Sequence, residues 1–329
     1  MTVPVPTSPS RGAAMTERPT GSVDVSVLVP ARDEAENLPL FLELCNAAFR
    51  GRTERYEVIV IDDGSTDATP AVLEQAMARY PFVRVIRHRS ARGIADALRS
   101  GYLAAAGDVL VFYPADLQFK PEDIPRLAAP VLAGDADMVT GRKEGKYDKA
   151  FVSGIYNGLS RMLFRIPVRD LNNVKAYRRE IMDSQPVRPD WHRYMIVLAA
   201  AQGYTVVEIP VPLYPRNAGK SKFGLSRIPI GVLDMLAVWF ELRFSRKPLL
   251  AFGILGFGMF TLAAVVGVLL LTTGLGKRPF WEVIQTSLTL GSIFFATGIL
   301  GEQVAALRAE QRELRRRLDE QAASALGHR

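Results

Sequence analysis

The chain has 329 residues, 48% of them hydrophobic, which is more apolar material than one soluble core of average size requires. A single cysteine, Cys45, excludes an internal disulfide, and three scattered histidines offer no zinc constellation. The net charge of +7 does not signal nucleic acid, because the basic residues gather beside apolar segments and one Gly-Lys loop, without the aromatic interleaving of a single-strand binder.

Residues 1–22, rich in Pro, Thr, Ser and Arg and lacking an apolar core, read as a disordered tail rather than a signal peptide. Val23, Val25, Val27 and Val29 then alternate with Asp24, Ser26 and Leu28, which predicts a strand running into Pro30-Ala31-Arg32-Asp33-Glu34, with a helix over 35–49. Cys45 is expected to be a buried residue of that helix.

The apolar run 56–61 has the β-branched density of a parallel-sheet strand and delivers Asp62-Asp63-Gly64-Ser65-Thr66-Asp67. Gly64 permits a tight turn, and Ser65, Thr66 or Asp67 is expected to cap a helix beginning near Ala68. Taken alone, the same hexapeptide also suits an ordinary solvated turn.

A third βα unit is read over 83–87 and 94–106. A fourth strand over 108–113 empties into Pro114-Ala115-Asp116-Leu117-Gln118, and Pro121, Glu122 and Asp123 announce the next helix. Successive strands therefore bring acids to one sheet edge, where open α/β sheets bind nucleotides. Basic groups follow: Arg142 after a strand over 137–140, Arg178 in Lys175-Ala176-Tyr177-Arg178-Arg179, Arg193 beside His192, and Arg216, Lys220 and Lys222 around Gly219.

Between Arg227 and Arg243, Val232, Leu233, Leu236, Trp239 and Phe240 recur at helical spacing. That suits an amphipathic helix in the headgroup layer or, alternatively, a core helix of the soluble domain. Residues 249–273 carry no charge and are long enough to span a bilayer, and 283–300 make a second span, with a buried or interfacial helix as the alternative. Residues 274–281 form the hairpin between them. Residues 302–321 alternate charges around Leu307, Leu314 and Leu318, as a short coiled coil or a solvated helix would.

Arg243, Arg246 and Lys247 precede the first span and Arg308, Arg312, Arg315, Arg316 and Arg317 follow the second, against only Lys277 and Arg278 between them. The positive-inside rule then makes this an integral membrane protein with its soluble domain and both termini cytoplasmic.

The segments PARDE at 30–34, DDGSTD at 62–67, ADLQ at 115–118 and RNAGKSK at 216–222, in that order, resemble family 2 inverting glycosyltransferases of the GT-A fold. More narrowly, they are similar to the polyprenyl-phosphate branch typified by dolichol-phosphate mannose synthase and bacterial undecaprenyl-phosphate glycosyltransferases. The resemblance implies an α/β, Rossmann-like nucleotide-sugar-binding domain over 23–224. A juxtamembrane amphipathic helix at 225–247, a transmembrane hairpin at 248–302 and a charged cytoplasmic helix at 303–329 complete the expected order.

It further implies a nucleotide-sugar donor and a polyprenyl-phosphate acceptor at the lipid bilayer, with homo-oligomerisation left open. Pro30, Ala31, Glu34, Asp62, Asp63 and Asp116 are the nucleotide-sugar candidates, and Arg142, Arg178, Arg216, Lys220 and Lys222 the phosphate candidates. Asp116, Arg142, Asp170 and Arg193 are the catalytic candidates. Asp116 and Gln118 are the candidates for holding a divalent metal, Mg²⁺ or Mn²⁺, on a diphosphate leaving group. A phosphate monoester with a second pKa near 6 is already largely anionic at pH 7, so the acceptor needs little help from a general base.

Two departures stand out. Pro114 occupies the position of the first acid in the family's DADLQ, and Asp170-Leu171-Asn172-Asn173-Val174-Lys175 lacks the glycine turn of the dolichol-type members. Two other classes compete. A polysaccharide synthase is disfavoured by the missing Gln-x-x-Arg-Trp motif, and a catalytically idle membrane scaffold is suggested only by Pro114.

Overall fold

The computed structural model describes residues 23–144, 158, 162–164, 168, 173–184, 194–215, 217, 228–244, 247–273 and 277–326. The chain divides into two compact units, one ending at Met235 and the other starting at Leu236.

The first unit is built on a seven-stranded sheet ordered β3-β2-β1-β4-β6-β5-β7. Its strands are β1 Val25–Ala31, β2 Tyr56–Asp62, β3 Val83–Arg87, β4 Val109–Phe112, β5 Met138–Glu144, β6 Lys175–Arg178 and β7 Val206–Pro212. Strands β1 to β4 are mutually parallel where they pair, β6 runs antiparallel to both β4 and β5, and β7 is parallel to β5. The expected α/β sheet is thus present, with one reversed strand that the sequence did not announce.

Central strands are buried on both faces, as parallel strands must be: Val27, Leu28, Val29, Val58, Ile59, Val60, Leu110 and Val111 have essentially no exposure. Helices α1 Leu38–Phe49, α2 Thr69–Arg79, α3 Ile94–Ala104 and α4 Ile124–Leu132 follow the parallel strands. Cys45 is fully buried on α1, as expected, and burial pushes its thiol pKa up out of the reactive range. Helix α1 starts three residues later than periodicity suggests. Residues 33–35 give their N–H groups to side chains of the neighbouring loop, and the first turn opens at Leu38 with Pro39.

At the other edge of the sheet, Glu57 is buried within β2. Its carboxylate accepts from the Ser26 hydroxyl at 2.6 Å, the Ala106 N–H at 2.7 Å and Arg84 at 2.8 Å. Burial opposes ionisation of Glu57, but these donors outweigh it and hold its carboxyl below the usual range.

Two short helices, α5 Arg179–Ser184 and α6 Met195–Ala201, precede α7 Ile228–Phe244. On α7, Met235 and Val238 are buried, while Leu233, Leu236 and Phe240 are exposed.

The second unit pairs α8 Pro248–Thr273 with α9 Lys277–Leu326. Both contain segments long and apolar enough to cross a membrane. Close packing rests on small residues: a Cβ at Gly256 would lie 2.9 Å from the Gly291 carbonyl oxygen, and one at Gly291 would lie 2.7 Å from the Phe260 ring. Residues 277–281 of the expected hairpin belong to α9, which already begins at Lys277; Pro279 is compatible with a first helical turn. The span and the charged helix also prove not to be separate elements. They are one helix of 50 residues, about 75 Å long.

Candidate active site

The order of the sheet reverses at β1, whose neighbours are β2 on one side and β4 on the other. In an open α/β sheet the crevice at such a switch point, beyond the carboxyl ends of the strands, is where ligands bind. Pro30 and Ala31 end β1 and Glu34 follows it, Asp62 ends β2 with Asp63 next, and Asp116 follows β4, so the structure brings the six nucleotide-sugar candidates to that one edge.

The first two loops are laced together. The N–H of Asp33 donates to the Ser65 hydroxyl at 3.0 Å, and the Asp33 carboxylate accepts from the Thr66 N–H at 2.8 Å. The N–H groups of Glu34 and Ala35 donate to Thr69 at 2.9 Å and Asp67 at 3.3 Å. Asp33 takes a positive φ of 52° to make this approach. None of the three cap candidates holds the N-cap position, which is Ala68; Asp67, one residue earlier, accepts from the Thr69 N–H at 2.9 Å.

The two acids of β2 are buried and engaged in shaping these loops. Asp62 accepts from the Ser65 N–H at 2.9 Å, closing its own turn. Asp63 accepts from the N–H groups of Arg92 and Gly93, each at 2.8 Å, and from His88 Nδ1 at 2.8 Å. Burial opposes ionisation of Asp63, yet these donors prevail and hold its carboxyl below the usual carboxylate range. Gly64, at φ 70°, lets the loop after β3 sit against the turn, since a Cβ there would lie 2.6 Å from the Ala91 nitrogen.

Asp116 and Gln118 lie on a turn whose middle residue, Leu117, has φ 57°. Asp116 accepts from the Gln118 N–H at 3.2 Å, and the Gln118 carbonyl accepts from the Tyr214 N–H at 2.9 Å. Tyr214 leads into the basic loop, and Asn217 within that loop donates to Asn37 at 3.1 Å. The start of the RNAGKSK segment is thereby fastened to both the Asp116 turn and the entrance of α1.

One carboxylate and one amide oxygen two residues apart are the donor set available for a divalent ion; no cluster of three His, Cys, Asp or Glu groups exists among the described residues. Such a pair fits an ion whose other ligands are diphosphate oxygens and water, the usual habit of Mg²⁺ in phosphoryl sites.

The basic candidates separate. Arg142 lies within β5 rather than after it, and β5 runs in the same sense as β4, so it sits towards the site edge, paired with Glu144 at 3.0 Å. Arg178 does not join it. Because β6 is reversed, Arg178 pairs in register with Val109 at the start of β4, at the opposite edge, where Asp137 at 3.5 Å and Glu180 at 3.3 Å engage it.

Its place is taken by Lys175, opposite Phe112 and Thr140 in the register and only 2% exposed. Its ammonium lies 5.8 Å from the centre of the Phe112 ring. Sequence reading passed over Lys175 because nothing marked β6 as reversed; a fully buried lysine next to a nucleotide-binding edge is the signal that the structure supplies. Asp170, Arg193, Arg216, Lys220 and Lys222 fall outside the described residues.

The fold and this loop arrangement are those of the GT-A type. Glucosyl-3-phosphoglycerate synthase from Mycobacterium tuberculosis, solved with Mn²⁺, UDP and glucosyl-3-phosphoglycerate, superposes with a TM-score of 0.54 at 19% identity, covering 68% of this chain and 80% of that one. At that identity the likeness speaks for the fold alone.

Residues 26–179 match the family model for Glycosyl transferase family 2, and the chain carries a family 2 glycosyltransferase domain. It is 29% identical over 311 residues to dodecaprenyl-phosphate galacturonate synthase of Rhizobium johnstonii, across 90% of this chain and 91% of the relative. It is likewise 29% identical over 294 residues to undecaprenyl-phosphate 4-deoxy-4-formamido-L-arabinose transferase of Photorhabdus laumondii, across 85% and 88%. The protein is a glycosyltransferase.

Proposed function

We propose that this protein transfers a sugar, with inversion, from a nucleoside-diphosphate sugar to a polyprenyl phosphate, yielding a lipid-linked monosaccharide. One observation carries the reading. The alignment with the dodecaprenyl-phosphate enzyme runs over 311 residues, more than the first unit contains, so it extends beyond the nucleotide-sugar domain into the membrane-length helices.

In this reading the crevice between β1 and β4 takes the donor. Pro30, Ala31 and Glu34 line it, Asp62 and Asp63 hold its loops in shape, and Asp116 and Gln118 face the diphosphate. A divalent ion held there supplies charge neutralisation for the departing nucleoside diphosphate. The chain's own contribution is to gather cations around two phosphorylated substrates that repel each other: Arg142 and Lys175 from the sheet, with Arg193, Arg216, Lys220 and Lys222 proposed to join them. Asp170 is kept as an acceptor-side acid. Removal of one developing-charge partner is worth about 10²–10³ in rate in comparable sites.

The exposed stripe of Leu233, Leu236 and Phe240 on α7 supports contact with lipid near the acceptor. The excess of Arg and Lys flanking the apolar segments supports a cytoplasmic domain with both termini on the same side.

The test is incubation of purified protein with a panel of nucleotide sugars, with and without undecaprenyl phosphate, followed by mass spectrometry of extracted lipid. A glycosylated polyprenyl phosphate is the expected product. Polymeric sugar without a lipid monosaccharide sinks the reading in favour of a synthase, and no transfer to any acceptor leaves a scaffold.

A further inference from the structure

Beyond the apolar segment, α9 continues as an uninterrupted helix through Leu326. Val304, Leu307, Leu314 and Leu318 are 47%, 60%, 58% and 55% exposed, so the described residues of their own chain leave this face open. Their spacing of three, seven and four residues is that of a heptad seam: Val304, Gln311, Leu318 and Ala325 at a, and Leu307, Leu314 and Gln321 at d. We infer that residues 304–325 form a parallel two-stranded coiled coil with a second copy of this chain.

Three features select that occupant. First, a β-branched residue at the leading a position with leucine at the first two d positions favours two strands, and a polar residue at a, here Gln311, fixes register. Second, in a parallel in-register pair each g position faces the e position five residues on in the other helix. Glu310 at g then meets the partner's Arg315 at e, twice per dimer, an attractive pair that antiparallel pairing does not provide. Third, two copies inserted in one membrane with the same topology present this helix in the same direction, so parallel pairing needs no rearrangement.

The obvious competitor is an anionic lipid surface. Residues 302–321 carry five arginines and five acids, and a charge-balanced helix lacks the excess of basic groups that holds an amphipathic helix on lipid headgroups. Within the chain, Arg308 meets Glu241 of α7 at 3.4 Å, Arg317 meets Glu313 of its own helix at 3.0 Å, and Glu302 accepts from the Leu249 N–H at 3.3 Å. These contacts involve charged residues rather than the leucine seam.

Disulfide trapping in native membranes tests this with the full chain. Cys45 is the only cysteine and is fully buried, so an introduced thiol is the one that reports. Leu314→Cys and Leu307→Cys, at d, are expected to give disulfide-linked dimers under mild oxidation, at least about tenfold faster than Ala309→Cys at f, because a bridge needs the two Cα atoms within about 7 Å. In the Leu314→Cys background, Glu310→Arg should slow trapping, and adding Arg315→Glu should restore it. Equal trapping at f and d, no dimer at d, or adducts with a different protein or none but lipid-protected thiols would each overturn the proposal. Sugar transfer is measured in parallel on the unmodified chain, so a failed coil and a failed enzymatic reading give separate results.

Discussion

The carboxylate of Asp63 and the imidazole of His88 meet at 2.8 Å, and the far nitrogen of the same ring lies 2.9 Å from the Ser100 hydroxyl. An ionised carboxylate only accepts, so Nδ1 carries a proton and donates it to Asp63. The second acid of the DDGSTD turn is therefore joined through His88 to α3. Together with its bonds to Arg92 and Gly93, this makes Asp63 the post that anchors the whole loop after β3.

That role changes what a truncation should do. Were Asp63 only a ligand contact, Asp63→Ala would abolish transfer at nearly unchanged stability. With the carboxylate buried and three donors turned to it, the variant instead loses the charge-assisted, part-buried hydrogen bonds from Arg92 and Gly93, at about 1.5–3 kcal/mol each. Denaturant unfolding should show a loss of at least about 2 kcal/mol beside the loss of activity. A variant as stable as the parent removes Asp63 as an anchor.

The same bonds set a pH dependence. The carboxyl of Asp63 is held below its ordinary value, so its stabilising contribution is complete above the unfolded-state pKa of about 4 and is lost as pH falls through the lower folded value. Acidification from pH 7 to below 4 should destabilise the parent more than Asp63→Asn, which has no carboxyl to protonate. Parallel losses in the two proteins on urea titration would contradict this.

Much of the site edge is legible in the chain because strands β1, β2 and β4 each pass from an apolar run straight into acids, and parallel strands put all three loops at one end. What stays hidden is direction. Residues 175–178 look the same whichever way β6 runs, and only the pairing of Lys175 with Phe112 and of Arg178 with Val109 decides which cation reaches the site. Backbone-mediated bonds such as those of Asp63 are equally invisible to motif spacing, since an acid that binds a ligand and one that binds its own loop occupy the same position in a motif.

Substituting the two ends of β6 separates them. Lys175→Met should lower kcat by about 10²-fold or more if its ammonium offsets charge on the substrates, whereas Arg178→Met, at the far edge, should leave kcat within about threefold. The melting temperatures of both variants check that the loss is chemical. The reverse outcome would restore Arg178 as the phosphate ligand.

The helix pair of the second unit has its own tight point. A side chain at Gly291 collides with the Phe260 ring and approaches the Gly256 carbonyl oxygen. Gly291→Leu should therefore push α8 and α9 apart, at about 1–3 kcal/mol for overpacking, with faster proteolysis of the detergent-solubilised protein, while Gly258→Leu, where a Cβ meets nothing within 4 Å, should be tolerated. Equal behaviour of the two variants would argue against this packing.

Pro114 decides the last expectation, because it removes one acid from the place where a divalent ion is expected. Asp116 and Gln118 flank Leu117 on a turn fastened by Tyr214, and no third acidic or histidine group joins them among the described residues. Two protein ligands give weak affinity by themselves, so metal binding should be barely measurable by calorimetry without nucleotide and strong with it, the diphosphate completing the shell. EDTA should stop turnover, Mg²⁺ or Mn²⁺ should restore it, and Asp116→Asn should lower kcat by at least about a hundredfold. Pro114→Asp should tighten metal binding in the absence of donor. Undiminished transfer in excess EDTA would remove the ion from the reaction and leave the charge of the leaving group to Lys175, Arg142 and the basic loop.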